Sequence, residues 1–297
     1  MKSPRPRSVF PWFALLLAIA AGGPLAAAPG ATAIDLPLLL DLPGDLAPVR
    51  YTPGSLDRSA SIQARAELLT REFGRSGFQA NAIVLFVLSP EDWTLAKLPA
   101  PYGLPCRLGV EALVVPAWAN ETVVRLVRDD LGGELPLPRG TPLLATPAEA
   151  GALAVSDLVA QLELAGLLVR RAGLTGDRPW IEGLVTHLVA RLAWDKFEPG
   201  RMQEIAAIFD RLSVNSPDRG PHALESWSPE LAPRQRYWFD ARFLRAADLM
   251  LQEKKPRALW RMLAKAVEKK EPLTEALLLD EFPQLAAWRA ENFAPAP

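Results

Sequence analysis

The stretch Ser156–Trp194, with the sequence SDLVAQLELAGLLVRRAGLTGDRPWIEGLVTHLVARLAW, decides the fold of this 297-residue chain. Its apolar residues recur at steps of three and four on both sides of a short segment that contains Gly173 and Pro179. This spacing is typical of two buried helices joined by a turn, because glycine and proline interrupt a helical pattern. Ser156 or Asp157 is expected to cap the start of the first helix.

The second helix opens with PWIEG, residues 179–183. This segment is similar to the W-x-x-E-G segment that carries the glutamate ligand of gluzincin zinc metallopeptidases, with one residue fewer between Trp180 and Glu182. The helix pair as a whole resembles the metal-site core of that class, which is also called peptidase MA-like. The resemblance implies an α+β fold, with a small mixed β-sheet and helices in the N-terminal half and a mainly helical, zincin-like C-terminal half. It also implies a cleft lined by an edge strand, for which residues 113–118 are the candidate.

In gluzincins the first helix carries H-E-x-x-H, and here that motif is replaced. The best alignment fills its five positions with Gln161, Leu162, Glu163, Leu164 and Ala165. The chain has two histidines, His187 and His222, which are 35 positions apart. No register can therefore place two imidazoles one helical turn apart, as a shared zinc ion requires. The sequence predicts no metal, no other cofactor and no zinc-peptidase chemistry.

Five residues are candidates for a residual cleft: Gln161, Ala165, Trp180, Glu182 and His187. Glu182 and His187 are five apart, which separates their side chains by about 140° around a helix and does not converge on a metal. Glu182 is expected to cap the second helix or to pair with Arg170 or Arg171. His187 is expected to be partly buried with a hydrogen-bond partner, and His222 to be solvated.

Two further features could carry chemistry. Glu163 and Asp157 could form an acid pair, but at six positions apart on a helix they fit a solvated face better. Cys106 is the only cysteine, so no internal disulfide is possible, and we expect a half-buried thiol in a Pro-rich loop. The sequence contains no G-x-S-x-G elbow, no phosphate-binding P-loop and no C-x-x-C pair.

Residues 1–33 have the pattern of a secretory signal peptide. Lys2, Arg5 and Arg7 precede an apolar run over residues 10–21. Small residues follow it and end at Ala31-Thr32-Ala33, so cleavage is expected between Ala33 and Ile34. The run has about 12 residues, fewer than the about 20 that span a membrane, so no stable anchor is expected to remain. The location predicted is periplasmic or secreted.

Without those three cations the chain has 30 basic and 34 acidic residues. This overall balance gives no electrostatic footprint for nucleic acid, whose binding would need a clustered basic face. Nucleic acid is therefore not an expected partner.

The remaining chain divides at a Pro/Gly-rich boundary over residues 132–146. Residues 34–146 are expected to form an α/β half and residues 147–297 a helical half, in one compact unit. In the first half we predict strands over 49–52, 81–88 and 113–118, helices from 55, 90 and 121, and a loop over 99–108. In the second half we predict helices over 200–214, 234–251, 256–267 and 274–279, with a polar loop over 215–233. Residues 282–293 end the fold, and the resemblance implies a helical tail.

The function predicted from these features is that of an exported bacterial protein with a catalytically inactive gluzincin-like fold. Such a protein is expected to bind a peptide or an envelope protein partner, or to act as a scaffold in the cell envelope. Two alternatives remain open: a hydrolase that uses the carboxylates Glu163 and Glu182 without a metal, and a purely structural member of an envelope complex.

Overall fold

The computed structural model describes residues 34–128 except 35, 37, 99, 122, 126 and 127, and then residues 147–197, 208, 222–228, 231 and 233–293. Thr32–Pro297 forms one compact unit. The predicted signal peptide, the boundary over 132–146 and nearly all of the helix predicted over 200–214 lie outside the described residues.

A five-stranded mixed sheet occupies the N-terminal half. Its strands are β1 (Leu40–Leu42), β2 (Val49–Tyr51), β3 (Val84–Leu88), β4 (Cys106–Leu108) and β5 (Ala112–Pro116). They lie in the order β1-β2-β3-β5-β4. The three central strands are parallel, and β1 and β4 pair antiparallel at the two edges. The predicted α+β class with a small mixed sheet is confirmed.

Helices account for most of the remaining described residues. They are α1 (Leu56–Arg75), α2 (Pro90–Leu95), α3 (Pro147–Arg171), α4 (Pro179–Phe197), α5 (Pro233–Glu253), α6 (Pro256–Lys269), α7 (Glu275–Glu281) and α8 (Gln284–Asn292). Thr274 caps α7 as predicted, because its hydroxyl oxygen accepts the N–H of Leu277 at 3.1 Å.

Three local expectations are wrong. The first helix of the central pair begins at Pro147, since proline suits the first helical position, and Ser156 is buried in its middle instead of capping it. Strand β5 ends at Pro116 but lies inside the sheet, between β3 and β4. The edge strand on that side is β4, which lies in the segment predicted to be a loop.

Both faces of the sheet are covered, and β3 shows how. Its side chains alternate, so Leu85 and Val87 join the main core while Phe86 and Leu88 join a smaller one. The main core contains side chains from α1, α3 and α4. The smaller core is completed by the segment that precedes β1 and by Trp93 of α2.

Helix α3 lies at the centre of the unit. It packs against α1, α4, β4 and β5. Among the described residues, Ala148–Arg171 is the one helical stretch long and apolar enough to cross a membrane, with a mean hydropathy of 1.7. Of the most apolar 18-residue stretch of this helix, 89% is buried inside the protein, as expected of a core helix. An ionised side chain on such a helix needs a charged or hydrogen-bonding partner.

Candidate functional site

Glu163 is the charged residue that α3 buries most deeply, with 3% of its side chain exposed. Its Oε2 atom lies 2.6 Å from Nε of Arg107 on β4. Its Oε1 atom pairs with Nη2 of Arg236 on α5. The expectation that Glu163 lies on a solvated face is therefore wrong, because both carboxylate oxygens are held by guanidinium groups.

The chain of contacts continues from α5 to α4. Nε of Arg236 lies 3.8 Å from Oδ2 of Asp240, and Oδ1 of Asp240 lies 3.0 Å from Nε2 of His187. Nδ1 of His187 lies 2.7 Å from the carbonyl oxygen of Gly183 and donates to it. Both ring nitrogens of His187 therefore lie within hydrogen-bonding distance of an oxygen atom. The predicted hydrogen-bond partner of His187 is confirmed, and the ring is fully buried instead of partly buried.

These five residues form what we call the buried ion-pair network: Arg107, Glu163, His187, Arg236 and Asp240. Two guanidinium groups balance two carboxylates within it. Burial alone would lower the pKa of Arg236, but Glu163 and Asp240 raise it above its ordinary value. Burial lowers the pKa of Arg107, and Glu163 opposes that shift. Each buried charge of the network is therefore stabilised by the opposite charges beside it.

Cys106 precedes Arg107 on β4 and is half-buried as predicted, although in a strand instead of a loop. Burial, reinforced by the Glu163 carboxylate, raises the pKa of its thiol to about 12. The thiol is therefore protonated at neutral pH, and a protonated thiol is a poor nucleophile.

Arg107 reaches Glu163 across a glycine of α3. A Cβ atom on Gly166 would lie 2.8 Å from Nη1 of Arg107, so a side chain there would displace the guanidinium. The charges of Glu182 and Arg170 also act on Arg107. Nε of Arg170 lies 2.5 Å from Oε1 of Glu182, which confirms one of the two ion pairs expected for Glu182.

Gln161 lies on the other side of α3, since two residues turn a helix by about 200°. It lines a small cavity together with Arg65 of α1 and Ala190 of α4. The water-accessible volume of this cavity is about 20 Å³, enough for one ordered water and not for a peptide.

Gln161 and Glu182 do not meet. The ion-pair partner of Glu182, Arg170, is nine residues farther along α3 than Gln161, a rise of about 13 Å. The residual cleft predicted around Gln161, Ala165 and Glu182 is therefore not formed in that arrangement. Ala165 and Trp180 are both core residues.

The glycine of PWIEG has a packing role. A Cβ atom on Gly183 would lie 2.8 Å from ring atoms of both Phe243 and Trp227. Glycine at this position allows α4 to approach two aromatic rings closely. Close packing against these rings therefore accounts for a glycine at position 183 without any ligand.

Two other polar residues also differ from expectation. Asp157 is not solvated, because its carboxylate lies 2.7 Å from Nη2 of Arg58 and 2.6 Å from Nη1 of Arg65, both on α1. The His222 ring is half-buried and packs edge-on against Trp238, with 4.9 Å between ring centroids.

The zinc ion that the gluzincin resemblance implies does not fit these residues. Among the described residues, no group of three or more His, Cys, Asp or Glu could hold a metal ion. Gly166, which lies against Arg107, has no side chain and therefore no ligand atom, and Leu162 is a core residue. A guanidinium group, itself a cation, lies where α3, α4 and β4 converge.

Sequence reasoning missed Arg107, Arg236 and Asp240. One signal could have revealed the network: the residues one turn before and after Glu163 carry no polar side chain, so its charge has no polar neighbour on that face of α3. They are Val159, Ala160, Gly166 and Leu167. Its partners gave no comparable signal, because they lie on a three-residue strand and on a distant helix.

No protein-family model, curated protein or solved structure matches the chain.

Proposed function

We propose that this chain is an exported bacterial protein of gluzincin-like architecture in which the buried ion-pair network replaces the metal site. On this proposal it acts as a binding or scaffolding protein of the cell envelope, without peptidase activity. The observation that carries the proposal is the position of Arg107, whose guanidinium lies against Gly166 and pairs with Glu163.

A shift of one residue in the alignment supports this proposal. If H-E-x-x-H begins at Leu162, its glutamate coincides with Glu163 and its second histidine with Gly166. Both histidine positions then lack a ligand atom, and the glycine leaves room for a cation beside the retained glutamate. Glu182, at the ligand position of the second helix, is held by Arg170.

The same contacts count against a carboxylate hydrolase that works without a metal. A general base needs a carboxylate oxygen free to accept a proton from water. Both oxygens of Glu163 are paired with arginine, and Glu182 is paired with Arg170.

Binding of an extended peptide is supported by the position of β4. This strand has one neighbour, β5, on the described sheet. Its other side can offer N–H and C=O groups to an added strand, a common mode of peptide recognition.

Zinc content and peptidase activity test the proposal directly. After incubation with zinc and desalting, the purified chain should carry far less than one zinc ion per molecule by elemental analysis, and it should not accelerate casein cleavage. Stoichiometric zinc together with chelator-sensitive cleavage would refute the proposal.

Restoring the motif gives a gain-of-function test. We expect the variant Arg107→Ala/Leu162→His/Gly166→His to bind zinc through its two imidazoles, because these lie one helical turn apart and the guanidinium that blocks Gly166 has been removed. The matched control is Arg107→Ala/Leu162→His, which supplies one imidazole. If the triple variant is folded by circular dichroism and binds zinc no more tightly than the control, α3 and α4 are not a replaced metal site.

A further inference from the structure

A row of cations runs along the outer face of α6. We call it the basic stripe, and its members are Arg257, Arg261, Lys265 and Lys269. All four are exposed and spaced four residues apart, so they follow one ridge of the helix. Steps of about 6 Å give the stripe a length of about 18 Å.

The orientation of α6 is fixed by its other face. Leu259, Trp260 and Leu263 are buried in the main core. The helix cannot turn without exposing them, so the basic stripe stays directed outward.

The charge of this region differs from that of the whole chain. Between Lys254 and Glu271 there are seven basic and two acidic residues, whereas the chain has 33 basic and 34 acidic residues. Within the described part of the chain, no ion pair involves Arg257, Arg261 or Lys265. Like charges four residues apart repel each other and weaken a helix. Among the described residues, Glu271 offsets this repulsion at Lys269, with 3.5 Å between Nζ and Oε2, and no ion pair offsets it at the other three members of the stripe.

The positive surface extends past the start of α6. A groove at the turn between α5 and α6 is lined by Lys255, Arg257 and Arg261, together with Glu253 and with Lys254, which pairs with Glu281. Lys255 occupies the N-cap position without a side-chain capping bond, so the positive end of the helix dipole faces the same groove.

We propose that the basic stripe docks the protein onto an anionic phospholipid surface. A protein partner would need an apolar centre to its contact, and the large apolar residues of α6 are already buried. Single-stranded nucleic acid would need exposed aromatic rings between the cations, and Trp260 faces the core. A layer of anionic headgroups needs only outward-facing cations. This inference does not depend on the replaced metal site.

Vesicle co-sedimentation of the full chain without its leader tests the proposal. At about 0.1 M salt, where charges interact over about 10 Å, the protein should sediment with vesicles of phosphatidylglycerol and phosphatidylcholine and not with phosphatidylcholine alone. At about 1 M salt the binding should disappear, because the screening length falls to about 3 Å.

A charge-matched pair of variants localises the effect. Arg257→Gln/Arg261→Gln/Lys265→Gln should weaken partitioning by about 100-fold, since each of the three cations near an anionic surface contributes about a factor of five. The control Arg75→Gln/Lys97→Gln/Arg178→Gln removes three exposed cations elsewhere and should keep nearly all of the binding.

Three outcomes would overturn the proposal. The first is failure of the unmodified protein to bind phosphatidylglycerol vesicles, and the second is an equal loss in both variants. The third is salt-sensitive binding to polyglutamate without vesicle binding, which would assign the stripe to an acidic protein. None of these results affects the zinc experiments.

Discussion

Replacing Glu163 by glutamine removes the charge on which the buried ion-pair network depends. The substitution keeps the shape of the side chain but leaves Arg107 and Arg236, which are 15% and 19% exposed, without their shared carboxylate. Breaking a buried ion pair by removing one partner costs about 3–5 kcal/mol. For a folding unit of this size each kcal/mol lowers Tm by about 2–4 °C, so we expect a fall of about 10 °C.

Thermal unfolding followed by circular dichroism at pH 7 measures this effect, and urea denaturation gives the free energy. Glu121→Gln is the matched control, because it removes a carboxylate from an exposed pair with Arg125, whose side chains are 66% and 64% exposed. The control should change stability by about 0.5 kcal/mol or less.

A double variant identifies the cause of the loss. Adding Arg107→Gln to Glu163→Gln removes one of the two orphaned cations, so the combined loss should be smaller than the sum of the single losses. If Glu163→Gln lowers Tm no more than Glu121→Gln does, Glu163 is solvated and the reasoning about the network is wrong.

Three further predictions concern packing, the thiol and a helix cap. Gly183→Ala should destabilise the protein by about 1–3 kcal/mol in urea denaturation, because the added methyl group meets Phe243 and Trp227 at 2.8 Å. Cys106 should react with a thiol reagent at pH 8 far more slowly in the folded than in the unfolded chain. The pKa of the Cys106 thiol is about 12 in the folded state and 9.0 ordinarily, so its contribution to stability is complete below pH 9 and is lost as the pH rises toward 12. The loss is at most about 1.4 kcal/mol per pH unit. Cys106→Ala should lack this loss. Thr274→Ala should cost about 1 kcal/mol through the lost cap of α7, and an unchanged urea midpoint would contradict this.

The secondary structure was predictable where hydrophobic periodicity is strong. The runs that became β3, α1, α5 and α6 have clear strand or helix patterns bounded by glycine, proline or capping residues. Strand β4 was missed because three residues among prolines and glycines carry no periodic signal. The start of α3 was misplaced because Ser156 is a good cap in isolation, whereas Pro147 had already begun the helix.

The candidate site was predictable only in part. Two expectations within the helix pair were correct: Glu182 has an arginine partner, and His187 has a hydrogen bond, to the carbonyl of Gly183 one turn earlier. Glu163 was misjudged because its burial depends on which elements cover α3, and this information is spread over β4 and α5. Distances between remote segments follow from packing, which spacing along the chain does not encode.

Because α3 is central, the two halves of the chain are not expected to fold as separate fragments. Because this helix packs against α1 and β5, residues 34–146 and 147–297 complete one shared interior, and neither half can cover its apolar surface alone. Two gene fragments split between the halves should each aggregate when expressed singly and should reconstitute a soluble complex when co-expressed. During synthesis, the face of the sheet that joins the main core cannot be fully covered until Arg171 has left the ribosome, so apolar surface stays exposed for more than half of the chain's length.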